Sequence, residues 1–112
     1  MSDIVSVSDL EPLAMDGLFS MLGGELLGEG LGIGGEDSEE KARFGKEWFE
    51  GRFESFRQQI CSSGVARHLS GDFPDDVAAV LGALGAFAAE EKALALIVAA
   101  IAVRRGVSAM CD

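Results

Sequence analysis

The chain reads as all-α, a single-domain bundle of about four to five short helices with a glycine-rich connector after the first. Three observations predict this. Alanine, leucine and glutamate are common, tyrosine is absent and β-branched residues are few, a mix that favours helix over sheet. Apolar residues recur at helical spacing along most of the chain. Ser, Asp, Pro and Gly fall where those helices should begin and end. A chain of 112 residues suits one domain and can bury a core without disulfides or metal.

Residues 1–7 read as a loose leader. Ser8-Asp9-Leu10-Glu11 then has the form of a capping box, and Pro12 fits the first turn of a helix. Met15, Phe19, Leu22 and Leu26 follow at i, i+4, i+7 and i+11, with Leu18 beside them. These predict a helix from Asp9 to Leu27, weakened by Gly17, Gly23 and Gly24 at up to about 1 kcal/mol each relative to alanine. Gly28 to Gly35 read GEGLGIGG, a connector. It lacks the spacing of a dinucleotide-binding loop, no strand precedes it, and its acidic neighbours repel phosphate.

Glu36-Asp37-Ser38-Glu39-Glu40 is a helix start, with acids at the positive end of the dipole. The predicted helix runs to Cys61, with Ser62-Ser63-Gly64 ending it. Its aromatics form two sets. Phe49, Phe53, Phe56 and Ile60 fall within about 60° of one another, and Phe44 and Trp48 lie roughly 100° from that cluster's centre. Two stripes imply cover on two sides, from the fold or from another chain. Val65 to Leu69 reads as a short helical turn.

Asp72-Phe73-Pro74-Asp75-Asp76 opens the next helix with a capping aspartate and an early proline. Val77, Val80, Leu81 and Leu84 make one stripe. Leu94, Ile97, Val98 and Ile101 make another, rotated by about 100°. The phase shift favours two helices with a break between Gly85 and Glu91 over one helix from Asp75 to Arg105. Arg104 and Arg105 suit the negative end of the dipole, and Gly106 suits the left-handed position beyond it. Small residues recur at Gly82, Gly85, Ala86 and Ala89 and through the alanine-rich last helix. They fit a tight bundle interior, and a homodimer seam is the sharper reading.

Charge is the strongest functional signal. The first forty residues hold ten acids and no lysine or arginine, and the remainder balances nine acids with nine bases. The whole net charge of −10 thus sits in an acidic amphipathic arm with a glycine hinge, residues 1–35, and in the acids opening the helical body, residues 36–112. Such a distribution favours a basic protein partner and disfavours direct binding to nucleic acid or an anionic membrane. The longest apolar run, Ala93 to Val103, is too short to span a bilayer. No secretory signal is visible, and two isolated cysteines, Cys61 and Cys111, read as free thiols in a reducing cytoplasm, the alternative being a bridge that closes a loop of about fifty residues and that nothing in the sequence requires.

Chemistry is harder to build. His68 is the sole histidine and has no partners at metal-ligand spacing. Cys61 sits at the dipole end that disfavours a thiolate. The acids 36–40 lack the alternation of a calcium loop, and Glu90, Glu91 and Lys92 read as a solvated corner. No catalytic, metal or cofactor residue is expected. The expected activity is a small acidic binding module that blocks or escorts a basic partner. Its candidate contacts are Asp9, Glu11, Asp16, Phe19, Glu25, Glu29, Glu36, Asp37, Glu39 and Glu40, with Phe44 and Trp48 as apolar anchors. Acidic inhibitors of restriction or CRISPR effectors, acting as nucleic-acid mimics, are comparable in charge alone. The alternative is an oligomeric helical adaptor, assembly subunit or immunity protein.

Overall fold

A computed structural model describes residues 6–27 and 38–111, which are mainly α-helical and contain no strand. Helix α1 is Val7–Leu10, α2 Met15–Leu26, α3 Ser38–Gly51, α4 Phe53–Ser62, α5 Phe73–Ala83, α6 Gly85–Glu90, α7 Lys92–Arg105 and α8 Val107–Met110. A 3₁₀ turn, Val65–His68, stands between α4 and α5. The all-α class is as expected, but the segments are shorter and more numerous because each long predicted helix is interrupted.

The first interruption corrects the helix from Asp9 to Leu27. The helix starts earlier, at Ser6, whose backbone N–H donates to the Asp9 carboxylate at 3.2 Å. Pro12 is therefore not in the first turn. It has no N–H, and its ring opposes the carbonyl of Ser8, so α1 stops and α2 begins afresh at Met15. The second comes at Arg52, where backbone angles of φ −113° and ψ 9° separate α3 from α4. The third divides the Asp75–Arg105 stretch twice. Gly85 adopts φ +53°, cheap only for glycine, and Glu91 leaves the helical region at φ −127°, ψ 70°. Both breaks lie within the Gly85–Glu91 window that the phase shift marks.

Helix α7 is the centre of the fold. Ala95 through Ala102 are all buried, and a helix apolar on every side must be surrounded. Helices α1, α2, α5, α6 and α8 all pack on it, and α3 lies on α2. The alanine-rich face is thus covered from within the chain. Only the preceding small residues Gly82, Gly85, Ala86 and Ala89 remain exposed. Leu10, Leu18, Phe19 and Leu22 belong to the same core cluster as Ile97 and Ile101. Leu10, Leu18 and Leu22 of the acidic segment are thus core residues of the bundle, whereas Leu27 is 58% exposed.

Two glycines set the spacing of α2 and α3. A Cβ on Gly23 would collide with the Lys41 carbonyl, lying 2.7 Å from its carbon. One on Gly45 would strike the Phe19 carbonyl and come within 2.9 Å of Gly23 N. These contacts pair residue 23 with 41 and residue 19 with 45, so the two helices run antiparallel, backbone against backbone.

Aromatic rings tie the rest together. Phe49 meets Phe19 edge-on at 5.9 Å and Phe56 at 5.7 Å. Trp48 packs on Phe56 at 5.8 Å and on Phe87 at 6.4 Å. The second aromatic stripe is therefore split: α6 covers Trp48, while Phe44 stays 42% exposed. Arg105 donates to Glu50 at 2.7 Å and lies over the rings of Phe49 and Phe53. Arg104 stacks over Phe73 at 4.5 Å and donates to the Glu11 carbonyl oxygen. The C-terminal arginines of α7 thus hold α3 and the α1–α2 corner.

The expected free thiols are replaced by a Cys61–Cys111 disulfide that joins the end of α4 to the residue after α8. Sequence could not decide this, because the pairing depends on the 3₁₀ turn and α5–α8 returning the C-terminus to α4. Asp72 caps α5 as expected, accepting from Asp75 N at 3.4 Å. Asp76 is a buried acid that sequence reading missed. It accepts from Ser70 N at 2.8 Å, Ser70 Oγ at 3.3 Å and Gly71 N at 3.0 Å, fixing the turn into α5.

Candidate functional site

On α2, the core residues Leu18, Phe19 and Leu22 take one side. At about 100° per residue, Asp16, Gly17, Ser20 and Met21 take the opposite side. Of these, Asp16 is exposed, while Gly17, Ser20 and Met21 are half-buried, and Met21 still touches the edge of the core. With Asp9 of α1, Leu13 of the α1–α2 corner, and Glu39 and Ala42 of α3, they line an open groove of about 620 Å³. The close Gly23–Gly45 approach docks α3 on α2, so Ala42 and Glu39 of α3 share this groove with Ser20 and Met21 of α2.

The groove has an apolar floor and an acidic rim. Leu13, Met21 and Ala42 are half-buried and pack against the core. Gly17 and Ser20 line its middle, with the Leu13 side chain packed against Gly17. Asp9, Asp16 and Glu39 are exposed and come from three different helices. Among the described residues its lining has three carboxylates and no cationic side chain. Asp16 and Glu39 each stand in the first turn of their own helix. Because α2 and α3 are antiparallel, Asp16 marks one end of the groove and Glu39 the other, and Asp9 joins the rim from α1.

The sequence-predicted contacts divide accordingly. Asp9, Asp16 and Glu39 come together here. Glu40 and Phe44 line a neighbouring depression of about 370 Å³ with Arg43 and Glu47, and Glu40 faces Arg43 at 3.6 Å. Glu11 and Glu25 are exposed outside both. Phe19 is 4% exposed and serves the core, so it is removed from the contact surface. Trp48 is half-buried among rings with Arg52 stacked on it at 4.5 Å, leaving Phe44 as the exposed aromatic of the pair. Glu29, Glu36 and Asp37, with the connector 28–35, lie outside the described residues. The floor residues Leu13, Gly17, Met21 and Ala42 were missed. Once the core side of α2 is assigned, the opposite-face phase of 17 and 21 signals them.

The other candidates fall elsewhere. His68 is exposed on the 3₁₀ turn, and Cys61 is held in the disulfide, so no Cys61 thiol faces it. Glu90, Glu91 and Lys92 form an exposed corner at the α6–α7 break. Among the described residues no group of three or more His, Cys, Asp or Glu side chains could hold a metal ion, and no helix is long and apolar enough to cross a membrane. No family model, curated protein or solved structure matches the chain.

Proposed function

We propose that the protein is a small acidic binding module that docks on a basic surface of another protein through the face formed by α1, α2 and α3, and that it acts by occupancy rather than by catalysis. The observation that carries this reading is the convergence of Asp9, Asp16 and Glu39 from three helices on one apolar-floored groove. Isolated surface acids favour solubility alone. Acids framing an apolar contact area supply both the steering field and the contact. Inhibition by filling a groove that otherwise takes nucleic acid is the form of the activity that the charge favours most.

The test is capture of partners from the source cell on wild-type protein and on an Asp9→Asn/Asp16→Asn/Glu39→Gln variant of equal stability. Under the proposal a partner held by the wild type is released by salt, since exposed charges are screened over about 10 Å at 0.1 M. That partner is lost from the variant, and duplex DNA competes for the same partner surface. Retention by the variant at every salt concentration would falsify the reading.

A second reading, an oligomeric adaptor, assembly subunit or immunity protein, is favoured by one observation. Ala78, Leu81, Gly82, Gly85, Ala88 and Ala89 of α5 and α6, with Lys92 at the start of α7, line an open groove of about 550 Å³. Sedimentation over a concentration series separates the two, because the first reading predicts a monomer throughout. The compartment has its own test. A disulfide persists in an oxidising environment, and a reducing cytoplasm favours two thiols. Mass spectrometry of protein taken from its source with thiols blocked distinguishes an intact Cys61–Cys111 bridge from two blocked cysteines.

A further inference from the structure

We infer that the occupant of the α1–α2–α3 groove is a cationic amphipathic helix of the partner, about two turns of it, laid along α2. The inference rests on the binding-module reading and specifies what that module holds.

Length comes first. Asp16 to Met21 rises about 7.5 Å along α2, and Leu13 and Glu39 extend the groove at its two ends to roughly two helical turns. Leu13, Met21 and Ala42 provide an apolar floor over that length. Ser20 is small and leaves room in the middle for side chains from the incoming element, while the Leu13 side chain lies against Gly17 and adds to the floor. Met21 is unbranched and adapts to different apolar partners.

Charge comes second. Asp16 stands at one end and Glu39 at the other, so the fitting occupant has apolar residues in the middle and lysine or arginine on both flanks. A helix with anchors at i, i+3 or i+4 and i+7 presents that pattern on one face.

Backbone hydrogen bonding decides helix over extended chain. The main-chain groups of α2 and α3 are used within their own helices. An extended segment laid on Leu13, Met21 and Ala42 would find no ladder partners, and its N–H and C=O groups would be desolvated against an apolar floor. A helix satisfies those groups itself. The α5–α6 groove offers no such complement, since Lys92 is the only charged residue in its described lining.

The probe is a synthetic peptide of leucine and lysine with an amphipathic helical pattern. Its control has the same composition in an order that has no apolar face. Affinities are read by fluorescence anisotropy against the full chain and three variants that are checked for unchanged helicity. Asp16→Asn/Glu39→Gln removes the rim charge, Met21→Lys removes the floor, and Ala78→Gln alters the α5–α6 groove. The expected result is binding of the patterned peptide at least about tenfold tighter than the control. Both groove variants should weaken it by about tenfold or more, with Ala78→Gln unchanged. Equal binding of the two peptides, weakened alike by loss of the rim charge, overturns the helix inference and leaves the basic-surface reading standing. Patterned binding indifferent to Met21→Lys and to the rim variant overturns the groove assignment. Absence of binding by either peptide overturns the inference, while capture of a salt-released partner still decides the wider reading separately.

Discussion

Replacing Gly23 or Gly45 by alanine should destabilise the protein, and replacing Gly82 should not. In an isolated helix all three changes stabilise by up to about 1 kcal/mol, because alanine has the higher helix propensity. The fold reverses the sign at two of them. The new methyl at position 23 meets the Lys41 carbonyl, and that at position 45 meets the Phe19 carbonyl and Gly23 N. Neither obstacle is a flexible side-chain end, so α2 and α3 must separate. Separation loosens Phe19, Leu22 and Phe49, which are 4%, 0% and 0% exposed. Overpacking of this kind costs up to about 3 kcal/mol. Offset by about 1 kcal/mol of propensity, the net loss is about 2 kcal/mol. At about 4–8 °C per kcal/mol near this chain length, Tm falls by roughly 8–16 °C. Gly82 has nothing within 4 Å of its would-be Cβ, so its alanine variant should hold or raise Tm. Circular dichroism melts read all three. Alanine variants at 23 and 45 that melt at or above wild type would refute the backbone-on-backbone contact and, with it, the groove that depends on it.

Further outcomes follow from other elements. Reduction of the Cys61–Cys111 bridge, whose cysteines are 50 residues apart, should lower stability by about 4 kcal/mol in the chain-entropy model; urea midpoints with and without reductant measure it, and an unchanged midpoint contradicts it. Asp76→Asn loses part of a charge-assisted cluster and should cost about 1.5–3 kcal/mol, a deficit absent if the turn at Ser70 is held by other groups. Arg57 hydrogen-bonds Glu54 at 2.6 Å and holds its carboxyl below the ordinary carboxylate range. A depressed folded pKa stabilises above the unfolded pKa, and that contribution disappears as pH falls through the folded value. Glu54→Gln should therefore trail wild type slightly at neutral pH and match it in strong acid, because the pair is exposed; a constant gap at all pH values would contradict the assignment.

Periodicity made the helical class and most core stripes legible. Leu18, Leu22, Val77, Val80, Ile97 and Ile101 all lie where their spacing placed them, at 0% exposure. Where helices stop was less legible. Pro12 tolerates a first turn or ends a helix, and only the start at Ser6 decides between them. The two aromatic sets were visible as phases, but what covers each depends on α6 returning Phe87 to Trp48, a contact far along the chain. Asp9, Asp16 and Glu39 were visible as acids within a longer list. Their convergence was not, because it depends on the antiparallel docking of α2 on α3; of the two glycines that permit it, Gly23 reads in sequence only as a helix weakener and Gly45 carries no signal. The same docking changes how the acidic segment is best tested. Deleting residues 1–35 would remove Leu10, Leu18, Phe19 and Leu22 from the core, so charge-neutral substitutions on the rim are the cleaner perturbation.

The central claim is that the working surface is the α1–α3 face. Hydrogen exchange of the protein alone and bound to its captured partner tests it most directly. The account predicts new protection in Val7–Leu10, Met15–Leu26 and the first half of α3, with α5 and α6 unchanged. Protection concentrated on Phe73–Glu90 with α2 unaffected would contradict it.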